Sequence, residues 1–270
     1  MKIKTPSGAC DTHMHFYDTK IPGAPGTFLP GDFTVPQYRE LQKKLGLERV
    51  IVVQPNAYAD NNTVTVNAMK ELGRAAKGVA VVKPDVKEAE LKRLTDAGIC
   101  AVRIMTLHGA LLGFDVMDAV MKRVHPYGWH PNIQLDGREL PKHEAQIKRL
   151  PGKFVVDHNG KYMEPVAPEH ESFLVLKKLL DTGRCWVKLS APYETSKTGA
   201  PKYEDVSKLA RALVKHAPER MLWASNWPHP SVPPGSVDDL DLLNLLEDWA
   251  PKEADRKKLL VDNPVELYGF

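Results

Sequence analysis

The run Asp11-Thr12-His13-Met14-His15 carries the chain's densest group of reactive side chains near its start. Alternation along a strand puts Asp11, His13 and His15 on one face. Adjacent imidazoles can polarise a carbonyl, pass a proton or bind a metal, and they are costly to bury without partners. The plain alternative is a pair of hydrogen-bonded histidines on an edge strand. Further along, Arg103 stands inside Ala101-Val102-Arg103-Ile104-Met105. A guanidinium in an apolar strand needs an anion. Its fork suits a substrate carboxylate, and a core acid such as Asp11 or Asp157 would serve equally. His158 follows Val155-Val156-Asp157 and precedes a glycine turn, a position suited to an acid, base or ligand. Lys161 and Tyr162 are placed to orient a polar substrate or to be ordinary surface residues. Asn226 ends the last apolar run as an amide, by itself a common turn-former, and His229 beyond it reads as a loop histidine.

These residues need a frame that gathers them. Short apolar runs at 9–16, Arg49–Pro55, Gly78–Pro84, Ile99–Met105, His130–Asp136, Lys153–His158, Cys185–Ser190 and Met221–Asn226 read as strands. Amphipathic segments at Val35–Leu45, Thr63–Ala76, Val86–Ala97, Asp115–Tyr127, Lys142–Leu150, His170–Thr182 and Tyr203–Ala217 read as the helices between them. Asp238–Trp249 and Lys252–Val261 read as helices after the last strand. This alternation predicts an α/β fold, a single (β/α)8 TIM barrel over residues 1–270. Active sites of such barrels collect at the C-terminal ends of the strands. There the chain offers His13 and His15, Gln54 and Asn56, Lys83, Arg103, then Asn132, Gln134 and Asp136, Asp157 and His158, Lys188 and Ser190, Ser225 and Asn226. The Pro- and Gly-rich segment 17–36 would lie over that face as a rim or lid.

The 270 residues carry a net charge of +3, with 37 basic residues interspersed among 34 acids, which argues against nucleic acid as a partner. No apolar stretch reaches the roughly 20 residues that span a bilayer, and Met1 to Pro6 lacks the core of a secretory leader. Cys10, Cys100 and Cys185 each sit in an apolar run, as buried reduced thiols do, so the cytoplasm is the expected location.

The Asp-x-His-x-His first strand, the Asp157-His158 pair and Trp227-Pro228-His229 after strand eight resemble the amidohydrolase superfamily. Within it, the chain is similar to the lactone-processing branch that contains 2-pyrone-4,6-dicarboxylate lactonase and D-galactarolactone isomerase. Arg103-Ile104-Met105, Gln134-Leu135-Asp136-Gly137, Asp157-His158-x-Gly160-Lys161, Tyr193-Glu194-x-Ser196 and Ser225-Asn226-Trp227-Pro228-His229 carry the likeness to the isomerase. Metal-dependent members of the superfamily use a carboxylated lysine or glutamate at strand four, histidines at strands five and six, and an aspartate at strand eight. Here those positions hold Arg103, Gln134 and Asn226, with only strand six keeping its histidine. His13, His15 and His158 are the ligands left for zinc, and an arginine beside them opposes a dication. The expectation is a site without metal or other cofactor.

In the branch resembled, the strand-eight aspartate activates water. An amide cannot take that proton, and the similar isomerase also has asparagine there, although glutamine is expected in it where this chain has His13. The resemblance therefore implies isomerisation of a 1,5-lactone of a sugar diacid to the 1,4-lactone by intramolecular acyl transfer. Lactone hydrolysis is the alternative, followed by a non-catalytic barrel that binds sugar acids. His13, His15, His158 and Asn226 would be catalytic. Arg103 would hold the substrate carboxylate, with Gln134, Asn56, Tyr193 and Lys161 as further substrate contacts.

Overall fold

A computed structural model describes residues 3–107 and 111–270; Met1 and Lys2, within the segment considered above for a leader, lie outside the described residues. Eight parallel strands follow one another in sequence order: β1 (Cys10–Met14), β2 (Arg49–Val53), β3 (Ala76–Ala80), β4 (Ile99–Met105), β5 (His130–Gln134), β6 (Phe154–Val156), β7 (Cys185–Leu189) and β8 (Met221–Trp223). Between them run α1 (Val35–Leu45), α2 (Thr63–Leu72), α3 (Glu88–Asp96), α4 (Phe114–Val124), α5 (Leu140–Arg149), α6 (Glu171–Leu180) and α7 (Glu204–His216). The expected TIM barrel is the fold observed. After β8 the chain adds α8 (Asp239–Asn244), α9 (Leu246–Trp249), α10 (Glu253–Lys257) and α11 (Asn263–Tyr268). The expected helix Asp238–Trp249 is thus divided in two. Among the described residues, no helix is long and apolar enough to cross a membrane, and the three cysteines are free.

Two apolar layers hold the barrel. The inner one joins Cys10, Ile51, Val53, Val79, Ala101, Val155, Trp186 and Leu222, with Leu267 and Tyr268 of α11 packed against them. The outer one lies between strands and helices. On α7 the buried Val206, Leu209, Ala210, Leu213 and Val214 recur at helical spacing and form its inward stripe. Gly78 of β3 lets α2 approach, since a Cβ there would stand 2.4 Å from Met69 Sδ.

Strand β1 departs from simple alternation. Cys10 belongs to the inner layer and Met14 to the outer one, and pairing with β2 slips between Asp11 and Met14. The irregularity turns Asp11 away from the two histidines. Its carboxylate accepts hydrogen bonds from Tyr38 Oη of α1 (2.9 Å) and from the Ser225 backbone N–H (3.0 Å) and hydroxyl. The expectation that Asp11 shares a face with His13 and His15 is therefore corrected. The same residues close the barrel: Thr12 Oγ1 donates to the Trp223 carbonyl (2.8 Å), Asn226 N to that of His13 (2.9 Å), and His15 N to that of Trp227 (2.8 Å).

Strand β3 ends at Ala80 rather than continuing to Pro84, so Lys83 lies beyond the strand, half-exposed and paired with Asp60 at 2.9 Å. Strands β6 and β8 stop at Val156 and Trp223. Asp157, His158, Ser225 and Asn226 consequently sit in the loops that follow, with left-handed backbone at His158 (φ 54°) and Asn226 (φ 59°).

Burial raises the Asp11 carboxyl to about 6, against the pull of the bonds from Ser225, His13 and Tyr38. Replacing Asp11 with asparagine turns an acceptor-only group into one that is half donor and leaves a seam donor unpaired. The expected loss is about 2–3 kcal/mol, read from urea unfolding midpoints; an unchanged midpoint would contradict this role for the seam.

Candidate active site

At the C-terminal mouth of the barrel a cleft of about 550 Å³ is lined by His15, Tyr17, Asn56, Arg103, Gln134, His158, Lys161, Glu194 and Asn226, among others. Pro25, Gly26, Thr27, Phe28 and Pro30 of the 17–36 segment form part of its wall, so that segment lies where the rim was expected. Paired bonds between Tyr17 and Phe33 pin the segment (3.1 and 2.9 Å).

The three histidines occupy different depths. His15 and His158 line the cleft; His13 does not and stands behind them, fully buried. Its ring lies 4.9 Å from that of His15 and 4.7 Å from that of His158. The hydrogen bonds assign the protons. His15 Nδ1 must donate to the Val53 carbonyl at 2.7 Å, which leaves its Nε2 as an acceptor. His13 Nε2, 3.2 Å away, therefore carries the proton between them. Its Nδ1 in turn accepts from the Lys188 ammonium at 3.2 Å. Lys188 also pairs with Asp157 at 3.2 Å, both side chains being fully buried.

Burial, helped by the nearby cations, keeps these imidazoles neutral. His15 falls to about 3, through burial and the Arg103 charge. Burial likewise lowers His13 and His158 well below the usual histidine range, with Lys188 and His15 adding to the effect on His13. The Asp157 carboxyl is lowered: burial pushes it up, and the charges of Lys188 and Arg103 outweigh that. His158 Nδ1 bonds to Ser190 Oγ at 2.8 Å. A hydroxyl can donate or accept, so His158 can hold its proton on either nitrogen.

Arg103 is buried, and its partners are neutral: the Gln54 carbonyl and Gln134 Oε1, each at 3.0 Å. Neither Asp11 nor Asp157 pairs with it; Asp11 is turned to the seam and Asp157 to Lys188. The core-acid alternative thus falls away, and Nε is left without a protein acceptor. Gln54 is a structural residue, its amide bonded to Ala59, Asn61 and Thr65.

On the β6–β8 side of the mouth, Lys161 and Glu194 form a nearly buried ion pair. Asn226 Nδ2 donates to Tyr193 Oη (2.9 Å) and lies 3.4 Å from Glu194 Oε1. A carboxylate only accepts, so the amide nitrogen is held on that side and Oδ1 is left for the cleft. Tyr193 is absent from the cleft wall. Its hydroxyl instead meets His229 Nδ1 at 2.9 Å, and His229 Nε2 lies 3.1 Å from Asp239 of α8. Glu194, Lys188 and Asp239 received no role from sequence. Glu194 was visible only within a shared motif, and Lys188 only as a strand-end cation.

The amidohydrolase family model matches residues 10–270. The chain belongs to this amidohydrolase family. It is 37% identical over 268 residues to D-galactarolactone isomerase of Agrobacterium fabrum, covering 97% of this chain and 91% of that protein. It is 36% identical over 282 residues to 2-pyrone-4,6-dicarboxylate hydrolase of Comamonas testosteroni, covering 99% and 92%. An apo crystal structure from Agrobacterium tumefaciens superimposes with a TM-score of 0.90 at 37% identity, covering 98% and 97% of the two chains.

Metal-dependent amidohydrolases need free donor atoms. Here His13, Asp157 and His158 each bring one ligand atom to within 4.8 Å of the others. However, the Lys188 ammonium is bonded to both His13 Nδ1 and Asp157, and Ser190 engages His158 Nδ1. A buried cation inside the donor set opposes a dication, so these residues do not fit a metal centre.

His13, His15, His130 and His158 all have lowered values in the folded state, burial being the main cause. Unfolded histidines take up protons near 6.5, so this stability is present above that pH and lost as pH falls below it, by about 1.4 kcal/mol per pH unit for each group. Asp11, raised to about 6, contributes with opposite sign. Urea midpoints are expected to drop steeply between roughly pH 6.5 and 5; a flat profile would mean that these imidazoles take up protons in the folded state as readily as in the unfolded chain.

Proposed function

We propose that this amidohydrolase isomerises the lactone of a sugar diacid, without metal, by passing the acyl group between two oxygens of the same molecule. Arg103 holds the free carboxylate, the neutral partners of its guanidinium leaving it without an internal counterion. A substrate hydroxyl adds to the lactone carbonyl, and the bond from that carbon to the ring oxygen breaks. The proton leaves the attacking hydroxyl and ends on the departing oxygen. His158, free to carry its proton on either nitrogen, takes it and returns it. His15 lines the cleft as a neutral ring, its Nδ1–H given to the Val53 carbonyl and its Nε2 accepting from His13, and so shapes the pocket around the lactone. Once His158 has taken the proton, its imidazolium charge stabilises the developing oxyanion. Gln134 and Asn56 contact the sugar hydroxyls from the cleft wall.

Asn226 carries the choice of isomerisation over hydrolysis. Its carbonyl oxygen can hold a substrate hydroxyl but cannot take a proton from water. An attacking group already held beside the carbonyl needs less activation, since effective molarities of oriented nucleophiles reach roughly 10⁵ M. The 37% identity to a lactone isomerase supports the same choice; the 36% identity to a lactone hydrolase supports the shared substrate chemistry.

Incubation of a sugar-diacid 1,5-lactone in ¹⁸O-water, followed by NMR and mass spectrometry, is expected to give unlabelled 1,4-lactone. Label in an open diacid would establish hydrolysis instead. Activity should survive exhaustive chelation, whereas stoichiometric zinc required for turnover would refute the metal-free assignment. Arg103→Gln should lower kcat/KM by about 10²-fold or more, the cost of an unpaired buried carboxylate; a loss under threefold would remove Arg103 from the binding role. Asn226→Asp places a second carboxylate beside Glu194, which raises one of the two towards neutrality, and is expected to introduce label from water. If it incorporates none, Asn226 is not what withholds hydrolysis.

A further inference from the structure

The charges around the cleft cancel in pairs with one remainder. Lys188 is matched by Asp157 and Lys161 by Glu194; in the adjoining cleft, which shares Arg103, Asn56 and Met105, Lys83 is matched by Asp60. The histidines of the site are neutral. Among the described residues of the cleft wall, Arg103 is the cation with no carboxylate partner.

Glu194 is what makes the remainder one rather than two. Its carboxylate is bound by Lys161, by Ser231 Oγ at 2.6 Å and by the Asn226 amide, so it is fixed in place as part of the wall. It stands just after β7, while Arg103 rises from β4, three strands away around the ring. A ring-shaped substrate with its first carboxylate on Arg103 would bring a second one towards a wall where Lys161 is already neutralised and Glu194 repels it.

We propose that Glu194 is a specificity-determining residue that restricts the cleft to lactones bearing a single free carboxylate. This deepens the proposed function, on which it rests for the substrate class. Removing the Glu194 charge would free Lys161 as a second anion site and open the cleft to dicarboxylates.

The test uses two ring ethers without a lactone carbonyl, so that binding is read apart from turnover: tetrahydropyran-2-carboxylate and tetrahydropyran-2,4-dicarboxylate. Calorimetry on the parent protein is expected to show the monocarboxylate bound more tightly. Glu194→Gln should shift the ratio of dissociation constants by roughly tenfold or more towards the dicarboxylate. Lys161→Gln should shift it the other way, and the double variant Lys161→Gln/Glu194→Gln should return to the parental ratio. Parental ratios in every variant that folds, checked by circular dichroism, would overturn the proposal and leave the pair a structural prop. If Glu194→Gln does not fold, the Lys161→Gln and double-variant ratios decide. A shifted ratio in a protein that fails the ¹⁸O test would sustain the charge selection while removing the isomerase assignment; a successful ¹⁸O test with unshifted ratios would do the reverse.

Discussion

The buried carboxylate of Asp11 is the constraint on which the site depends. It ties β1 to α1 through Tyr38 and to the segment after β8 through Ser225. By turning towards the helix layer it forces the irregularity in β1, and the histidines that follow turn inward. By gripping Ser225 it sets the next residue, so Asn226 arrives opposite the carbonyl of His13. One acid thus aligns the first and last strands of the ring. It accepts several bonds at once, which a neutral side chain of similar size cannot do.

Inside the seam the barrel uses charge sparingly. A lysine and an aspartate are buried together where water cannot solvate either, an arrangement that would be unstable if one were lost. Their presence polarises a line of neutral imidazoles running from Lys188 through His13 to His15. The line ends on the Val53 carbonyl, so the ammonium stays behind the cleft and the ring that lines it remains uncharged.

Much of this was legible from sequence because a parallel barrel translates strand order directly into position around a mouth. Arg103, Gln134, His158 and Asn226 were found by reading the last residues of apolar runs, and the cleft gathers all four. Lys83 misled because β3 starts two residues earlier than its apolar run suggests, moving that lysine off the strand. Asp11 misled because strict alternation cannot foresee a slip in register. His13 carries the same residue type as His15, yet depth separates them, and depth depends on neighbours from other strands. Glu194 lies in a loop with no periodic signal, and its partners Lys161, Asn226 and Ser231 are distant in sequence. Tyr193 is expected to contact substrate, but it stands outside the cleft wall and its hydroxyl is taken up by Asn226 and His229.

The helical tail after β8 would ordinarily be counted as a cap on the barrel's exterior and base. Asp239 on its first turn changes that status, because it meets His229, which meets Tyr193, which meets the Asn226 amide. The tail is therefore mechanically upstream of the cleft. A shift of α8 would bear, through His229 and Tyr193, on the Asn226 side chain that lines the cleft. Divergence between relatives in this outlying helix would then be a way to retune the chemistry while every strand end stays the same.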